Sequence, residues 1–253
     1  MNGRTPVALV LRLSSALLLA VGLFYAADWA LRAENFPVQQ VRFEGSFRHV
    51  TQQELEAAVL EHVRGNFLLV DLEAVKGRVE AIPWVHRASV RRQFPNEITI
   101  RFSEQELVAR WGEDAWVNAS GEVARIPGAA VAGDLPRLAG PEGSSAEVLA
   151  AFRDFRAALA AGGLTLLGLE LAPRRSWTLE LEAEGGHRLT LVLDDADPRA
   201  RLERFARAYR STLAAQVEAI RRVDLRYTNG FAVEWHTGGN ARVARTTRPG
   251  NEG

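Results

Sequence analysis

The side chains that could perform chemistry are few in this sequence, and their spacing does not group them. Its histidines, His49, His62, His86, His187 and His236, are never four residues apart, the spacing that puts two metal ligands on one face of a helix. There is no cysteine, which excludes disulfides and thiolate chemistry. Neither a glycine-rich loop followed by a lysine nor a nucleophile elbow occurs. The sequence therefore predicts no catalytic residue, metal, cofactor or small-molecule substrate.

The densest acidic cluster consists of Asp194, Asp195 and Asp197. Carboxylate oxygens in such a cluster can hold a hard cation. This cluster, however, stands between a strand-like run and Pro198, a residue suited to the first turn of a helix. We interpret it as a solvated turn with Asp197 at the start of the helix.

The charges are balanced, with 31 basic and 31 acidic residues and a formal net charge of zero. No global field then attracts nucleic acid, and no nucleic-acid partner is predicted. Lys76 is the single lysine, and arginine occurs in the pairs Arg91-Arg92, Arg174-Arg175 and Arg221-Arg222. We interpret these pairs mostly as solvated ends of strands and the arginine excess as a bias of the source genome.

The most informative polar and aromatic cluster is in the last strand-like run, residues 222–235 (RVDLRYTNGFAVEW). It alternates on both sides of Asn229-Gly230, a dipeptide typical of hairpin turns. If this hairpin ends a sheet, its final strand, residues 231–235, presents unpaired amides and carbonyls to which a partner strand can add. The alternative is that Tyr227 and Trp235 simply cover the core at the edge of the sheet.

An apolar run near the start of the chain determines the compartment of this hairpin. Residues 13–27 carry no charge, and residues 7–31 are long enough to cross about 30 Å of hydrocarbon as a helix. Arg4 and Arg12 precede the run without acidic neighbours, which predicts a cytoplasmic amino terminus and a periplasmic remainder. A cleaved signal peptide is the alternative, but it has a shorter apolar region and a small residue three positions before the cut.

Two segments with periodic patterns follow the apolar run. The first, residues 36–104, has the order strand, helix, helix, strand, strand, with a capping box at Thr51 and Glu54 and a final turn at Phe94-Pro95-Asn96. Its strands are predicted at residues 38–43, 85–93 and 97–104. Its two helices are predicted from apolar residues at helical spacing, the first set ending at Val63 and the second at Ile82.

The second segment, residues 105–236, is predicted to be mainly antiparallel sheet with helices. Its predicted features are a hairpin at 115–123, a loop at 127–143, a capping box at Ser144 and Glu147, strands at 164–171, 176–184 and 188–193, a Gly185-Gly186 turn, a helix after Asp197-Pro198 and the hairpin at 222–235. Residues 237–253 are rich in Gly, Arg and Thr and are predicted to be disordered. The fold class is α+β.

A sequence pattern in the first segment resembles a known family. The pattern P-W-V-x-x-A-x-V-x-R-x-x-P-x-x-I-x-I, from Pro83 to Ile100, resembles the POTRA domain of the FtsQ/DivIB family of bacterial cell-division proteins. In the second segment, PRRSWTLEL and RVDLRYTNGFAVEW resemble the β domain of the same family. The resemblance extends from Leu13 to Trp235. It implies a cytoplasmic segment at 1–12, a transmembrane helix at 13–32, a POTRA domain at 36–104, a β domain at 105–236 and a tail at 237–253.

The resemblance also implies a function and partners. It implies a non-enzymatic, single-pass scaffold in the inner membrane at the division septum, which binds FtsB, in its complex with FtsL, by strand addition at the final hairpin. Other division proteins are expected to bind the POTRA domain through its strand at 38–43 or 97–104. The residues implicated in partner binding are Arg175, Arg226, Tyr227, Asn229, Gly230, Phe231 and Trp235.

Two other functions are weighed against this one. POTRA domains also occur in components that deliver polypeptides to the outer membrane, but no series of alternating segments typical of a barrel follows residue 104. An enzyme of unknown chemistry is the third interpretation, and only the absence of a convergent polar cluster in the sequence argues against it.

Overall fold

The computed structural model describes residues 6–32, 34–129, 133–227, 230–236 and 243–245. The chain forms two compact units, an amino-terminal unit, Met1–Gln105, and a carboxy-terminal unit, Glu106–Gly253.

The amino-terminal unit begins with a long helix, α1 (Pro6–Leu31). Its segment Val10–Leu31 has a mean hydropathy of 1.9 and is not buried by the rest of the protein. At its end Arg32 forms an ion pair of 2.6 Å with Asp28, one helical turn earlier. Length, apolar surface and exposure fit the single-pass membrane anchor that the sequence predicts.

The rest of this unit is a three-stranded sheet covered on one face by two helices. The elements are β1 (Gln40–Glu44), α2 (Gln52–Val59), α3 (Leu72–Glu80), β2 (Val85–Gln93) and β3 (Glu97–Glu104). The strand order is β1-β3-β2, with β1 parallel and β2 antiparallel to β3. The predicted order of elements is confirmed, but β3 is the central strand. The expectation that residues 97–104 expose a strand edge is therefore wrong, because both edges of β3 are paired.

Local sequence signals explain the helices of this unit. The capping box is present, since the Thr51 hydroxyl accepts from the Glu54 amide at 3.2 Å and the Glu54 carboxylate accepts from the Thr51 amide at 2.8 Å. The helix ends at Val59, earlier than predicted, and Val63 is buried beyond its end. Asp71 caps α3 by accepting from two amides.

The carboxy-terminal unit is built on a ten-stranded sheet. Its elements are β4 (Leu107–Trp111), β5 (Ala115–Asn118), β6 (Val123–Ala124), β7 (Arg137–Ala139), α4 (Ser145–Ala160), β8 (Thr165–Leu171), β9 (Ser176–Glu182), β10 (Arg188–Asp194), α5 (Pro198–Ala208), β11 (Ile220–Asp224), β12 (Gly230–Trp235) and β13 (Val243–Arg245). The strand order is β13-β12-β11-β10-β9-β8-β7-β4-β5-β6. Six of the nine pairings are antiparallel, as predicted. Helix α5 continues as a π turn, Tyr209–Leu213, and a 3-10 segment, Ala214–Ala219.

Three strands of this sheet, β4, β7 and β13, were not predicted. Strand β7 lies inside the predicted loop at 127–143, and it has only three residues between Pro136 and Gly140, so the residues around it indicate a loop. Its strand conformation comes from parallel pairing with β4 and β8, which are distant in sequence. Strand β4 was also not predicted; it has five residues and pairs antiparallel with β5, which follows it closely in sequence, and in parallel with β7.

The third difference concerns the predicted tail. Three of its residues, Val243–Arg245, form β13 and pair antiparallel with β12, joining Gly230 to Arg245 and Ala232 to Val243. A polar segment can order here without a core of its own, because the edge of β12 offers backbone partners. The remaining residues of the predicted tail, 237–242 and 246–253, lie outside the described residues.

Candidate functional site

Strands β11 and β12 form the end of the sheet at which the sequence predicts a partner. Strand β11 pairs in parallel with β10, placing Asp224 beside Val192, and antiparallel with β12, placing Asp224 beside Ala232. Since β10 ends where β11 ends and where β12 begins, the residues after β10 and β11 share one end of the sheet with Gly230. Trp235 lies at the far end of β12, five residues or about 17 Å away.

Phe231 is a core residue. Its side chain is 8% exposed and its ring packs edge-to-face on Phe205 of α5, with centroids 5.7 Å apart. Along β12 the buried positions alternate, so Val233 also faces the core. Only the backbone of Phe231 is therefore placed to contact a partner.

The two other aromatic residues of the predicted site differ in exposure. Tyr227 is 60% exposed. Trp235 is half-buried and packs against the hydrophobic core, opposite Ile220 of β11. The alternative interpretation, that these two side chains cover the core at the edge of the sheet, therefore holds for Trp235 and not for Tyr227.

Arg226 is held by Asp224, two residues earlier on the same strand end. Its Nε and an Nη donate to the Asp224 carboxylate at 2.9 and 2.6 Å, and its backbone amide donates to the same group at 3.0 Å. This hydrogen bonding raises the pKa of Arg226 and lowers the pKa of Asp224. The guanidinium is thus fixed in direction while about half of its side chain stays exposed.

Arg175 lies in the turn before β9, in a left-handed conformation with φ of 60°. Its guanidinium donates to Glu147 of α4 at 2.8 Å and to Asp195 at 2.7 Å. The other oxygen of Asp195 accepts from the Trp177 indole at 3.0 Å. Hydrogen bonds to Glu147 and Asp195 raise the pKa of Arg175. The guanidinium is therefore charged at any physiological pH, and carboxylates of the same chain already pair with it.

These contacts correct two predicted helix caps. Ser144 makes no cap bond to α4 and donates instead to the Pro141 carbonyl at 2.7 Å, and Glu147, its expected partner, pairs with Arg175. Asp197 precedes α5 in a left-handed conformation without a side-chain cap bond. Of these residues, Glu147 is used by a tertiary ion pair, whereas Ser144 bonds to a carbonyl three residues earlier.

Sequence reasoning missed Arg201, which links these groups. This residue of α5 has a side chain only 16% exposed, donates to the Leu225 carbonyl at 2.7 Å and pairs with Asp194 at 3.3 Å. It therefore fixes the segment that carries Arg226 and Tyr227 to the end of β10. No pattern within the sequence marks it, because its partners are 24 residues ahead and 7 behind.

The predicted open edge of β12 is only partly open. Strand β13 pairs with Gly230, Phe231 and Ala232, which leaves the outer side of residues 233–235 without a strand partner among the described residues. The structure thus brings Arg175, Arg226, Tyr227 and Gly230 to one end of the sheet and leaves Trp235 at the other. Asn229 lies outside the described residues.

Among the described residues, no set of three His, Asp or Glu side chains converges to hold a metal ion. The Asp194, Asp195 and Asp197 carboxylates are separated by their different partners: Arg201 for the first and Arg175 for the second. The arrangement at the end of the sheet is a set of oriented cations, an exposed phenol and a strand edge, which is suited to binding a polypeptide.

Comparison with known proteins agrees with the architecture. A family model described as "Cell division protein FtsQ/DivIB, C-terminal" matches residues 109–226, and one described as "POTRA domain, FtsQ-type" matches residues 36–105. The first match ends before Tyr227, so the exposed part of the hairpin lies beyond it.

Three relatives, all named cell division protein FtsQ, cover most of the chain. That of Shewanella oneidensis is 35% identical over 86% of this chain and 83% of its own length. That of Xanthomonas campestris pv. campestris is 38% identical over 80% and 71%, and that of Neisseria meningitidis serogroup B is 30% identical over 90% and 96%. With an apolar amino-terminal helix, an FtsQ-type POTRA domain and a strand-rich carboxy-terminal unit, the chain belongs to the FtsQ/DivIB family of cell-division proteins.

Proposed function

We propose that this cell-division protein is a non-enzymatic scaffold that binds FtsB, in complex with FtsL, along the outer edge of β12. Residues 1–12 face the cytoplasm, the two folded units face the periplasm, and the protein acts at the division septum. The observation that carries the proposal is the strand edge at residues 233–235, which has no strand partner among the described residues and continues into an edge held only by the three-residue β13.

Strand addition at this edge supplies register through the backbone. An incoming strand gains its hydrogen bonds from β12 whatever its side chains are, and neighbouring side chains then determine which strand fits. Full use of β12 requires β13 to leave, because each edge accepts one strand. The partner and the chain's own Val243–Arg245 therefore compete for residues 230–232.

Side chains at the end of the sheet provide specificity. Tyr227 offers a large exposed ring with a polar tip, a residue type common at the energetic centre of interfaces. Arg226, oriented by Asp224, is placed to bind an acidic group on the partner. Arg175 contributes less directly, because Glu147 and Asp195 already accept from it and a partner carboxylate must replace one of them.

The amino-terminal unit has a separate role in this proposal. Its POTRA domain recruits the protein to the division site and contacts other division proteins through side chains of β1, residues 40–44, a terminal strand of its sheet. An in-frame deletion of residues 36–103 is expected to abolish midcell localisation. Normal localisation of a stable deletion product would contradict this role.

The binding proposal is tested with Tyr227→Ala in the full-length protein, reconstituted in lipid nanodiscs and titrated with purified FtsB–FtsL complex. Truncating an anchor residue costs about 2 kcal/mol or more of binding free energy, which is roughly thirtyfold in affinity. We expect at least a tenfold weaker complex for Tyr227→Ala, and a smaller loss for Tyr227→Phe, which keeps the ring.

The matched control is Val123→Ala, which truncates a partly exposed side chain on β6 at the opposite edge of the same sheet. This variant is expected to bind like the parent. If Tyr227→Ala keeps its thermal unfolding midpoint and also binds like the parent, the interface is not at this end of the sheet.

A further inference from the structure

The end of helix α1 is fastened to the loop between α2 and α3. Asn66, only 5% exposed, donates from its side-chain amide to the Ala30 carbonyl at 2.8 Å and to the Arg32 carbonyl at 3.0 Å. These are carbonyls of the last helical turn, which have no partner within the helix. The Phe67 amide also donates to the Phe36 carbonyl at 2.7 Å. The loop that starts at Asn66 thus lies directly beside the point where the chain leaves the anchor.

This loop is also held from the inside. The Arg92 guanidinium donates to the carbonyls of Phe67 and Leu68 at 3.0 and 3.2 Å and to the Val70 carbonyl. The side-chain oxygen of Asn66 accepts from the Leu68 amide at 2.8 Å. With the backbone fixed on both sides, the outward direction of Leu69 is set by the fold and not by loop motion.

The two most exposed large apolar side chains of this unit outside α1, among the described residues, lie here. They are Leu69, 61% exposed, and Phe94, 71% exposed. Phe94 packs edge-to-face on the fully buried Phe67, with ring centroids 5.3 Å apart, and Leu69 follows Phe67 by two residues in the chain. The turn that carries Phe94 is tied to the segment after the anchor, because the Asn96 carbonyl accepts from the Gln39 amide at 3.0 Å.

The depth of these residues follows from the anchor. Val10–Leu31 is the part of α1 suited to hydrocarbon, and Trp29, 56% exposed at its end, is a residue type that sits at the level of the lipid headgroups. A bilayer is about 30 Å thick in its hydrocarbon and about 40–45 Å with headgroups, so each headgroup layer spans roughly 5–8 Å. Groups that lie within about one or two side-chain lengths of Leu31, on the outer side of the bilayer, are therefore in the headgroup layer.

We propose that Leu69 and Phe94 form a lipid-contacting tip, which seats the amino-terminal unit on the outer face of the same bilayer that holds its anchor. Two exposed apolar side chains at this depth are solvated by the headgroup and upper acyl region instead of water. Together with the Asn66 clasp on the last turn of α1, the tip fixes the unit against the membrane surface rather than letting it swing on a linker.

The absence of cysteine in the sequence allows a direct test. Leu69→Cys, Phe94→Cys and the control Phe47→Cys are each labelled with a polarity-sensitive fluorophore in the full-length protein. The proteins are reconstituted in phosphatidylethanolamine and phosphatidylglycerol vesicles that carry a nitroxide on the lipid headgroup. Only protein that floats with the vesicles is measured, so that failure of the anchor to insert is detected separately.

Phe47 is a matched control because it is also an exposed phenylalanine with an edge-to-face contact, in this case with Phe102 at 5.1 Å. Phe102 lies five residues along β3 from Glu97, about 17 Å from the end that carries Phe94. We expect a blue-shifted emission and a loss of intensity by nitroxide quenching at positions 69 and 94, and neither at position 47.

Leu69→Cys keeps the test informative if Phe94→Cys disturbs the contact with Phe67. Equal and weak quenching at all three positions would overturn the proposal. Equal and strong quenching at all three would overturn it as well, because the unit would then lie on the membrane without using the tip.

Discussion

In the amino-terminal unit the edges of the sheet are lined with charge, whereas in the carboxy-terminal unit the edge strand β12 is covered by a short strand of the same chain. Strand β1 carries Arg42, paired with Glu97 at 2.7 Å, and β2 exposes Arg87 and Arg91. Charged side chains on an edge oppose the approach of another strand.

Strand β12 of the carboxy-terminal unit, which lies between β13 and β11, exposes one charged side chain among its described residues, Glu234, which is paired with Arg221 of β11 at 3.2 Å. Its protection comes instead from the three-residue β13. In the proposed complex a partner strand displaces this short cover and adds to β12, whereas partners of the amino-terminal unit bind through side chains.

Phe231→Ala is expected to have the largest effect, because it removes a buried ring that packs on Phe205 beneath the edge. Loss of a buried phenylalanine costs about 3–5 kcal/mol of the free energy of unfolding. The measurement is chemical denaturation of residues 33–253. Tyr227→Ala, which removes an exposed ring from the same hairpin, serves as the control and is expected to change stability little. Equal losses for the two variants would show that Tyr227 belongs to the core and not to a binding surface.

Truncation after His236, which removes β13, is expected to strengthen binding of the FtsB–FtsL complex. A three-residue strand contributes a few backbone hydrogen bonds at about 1 kcal/mol each, and part of this is offset by the ordering of the chain. Affinity is therefore expected to rise by roughly tenfold, since β12 is then open to the partner in every molecule. Val243→Pro, which keeps the length of the chain and removes an amide, is expected to act in the same direction. Unchanged affinity in both variants would mean that β13 and the partner do not compete.

Asp224→Asn is expected to lower stability by about 1–2 kcal/mol, because the largely buried carboxylate that holds the Arg226 side chain and amide loses its charge. The pKa of Asp224 is lowered in the folded protein. Its contribution is thus fully present above the pKa of the unfolded chain, about 4, and is lost as the pH falls through the lower folded value. The difference in unfolding free energy between the parent and Asp224→Asn should shrink below about pH 4. A difference that stays constant with pH would contradict this assignment.

Arg42→Gln on β1 is expected to have the smallest effect. Although the ion pair with Glu97 lowers the pKa of that carboxyl, Arg42 is half exposed and water screens the interaction. No measurable change in stability or in FtsB–FtsL binding is expected. A loss of binding comparable to that of Tyr227→Ala would place FtsB–FtsL on the amino-terminal unit and contradict the proposed site on β12.

Local patterns predicted more of the amino-terminal unit than of the candidate site. Strands β2 and β3 have the predicted bounds, and the Thr51 capping box is present, because alternation and caps depend on neighbours in sequence. Around the site, Glu147 has the spacing of a cap residue but pairs with Arg175, 28 positions later. Strand β13, Val243–Arg245, lies in a segment rich in Gly, Arg and Thr, and its strand conformation depends on pairing with β12.

The aromatic residues of the hairpin show the same limit. Tyr227 and Trp235 have equivalent signals in the sequence, yet only one faces solvent, because burial of Trp235 depends on the apolar surface around Ile220. Helix α5 buries Leu202 and Phe205, and the π turn that continues it buries Tyr209 and Leu213, as the spacing predicts. The contact of Phe205 with Phe231, however, requires the parallel placement of β11 next to β10, which no local pattern contains.

In the proposed complex a partner strand occupies β12 in place of β13. Hydrogen exchange of the full-length protein in nanodiscs, followed residue by residue with and without the FtsB–FtsL complex, tests this displacement. We expect slower exchange at amides of residues 231–235 and faster exchange at Val243–Arg245, with no change at the opposite edge of the sheet, Val123–Ala124. Unchanged exchange along β12 under saturating complex, with new protection at β1 or β6, would contradict it.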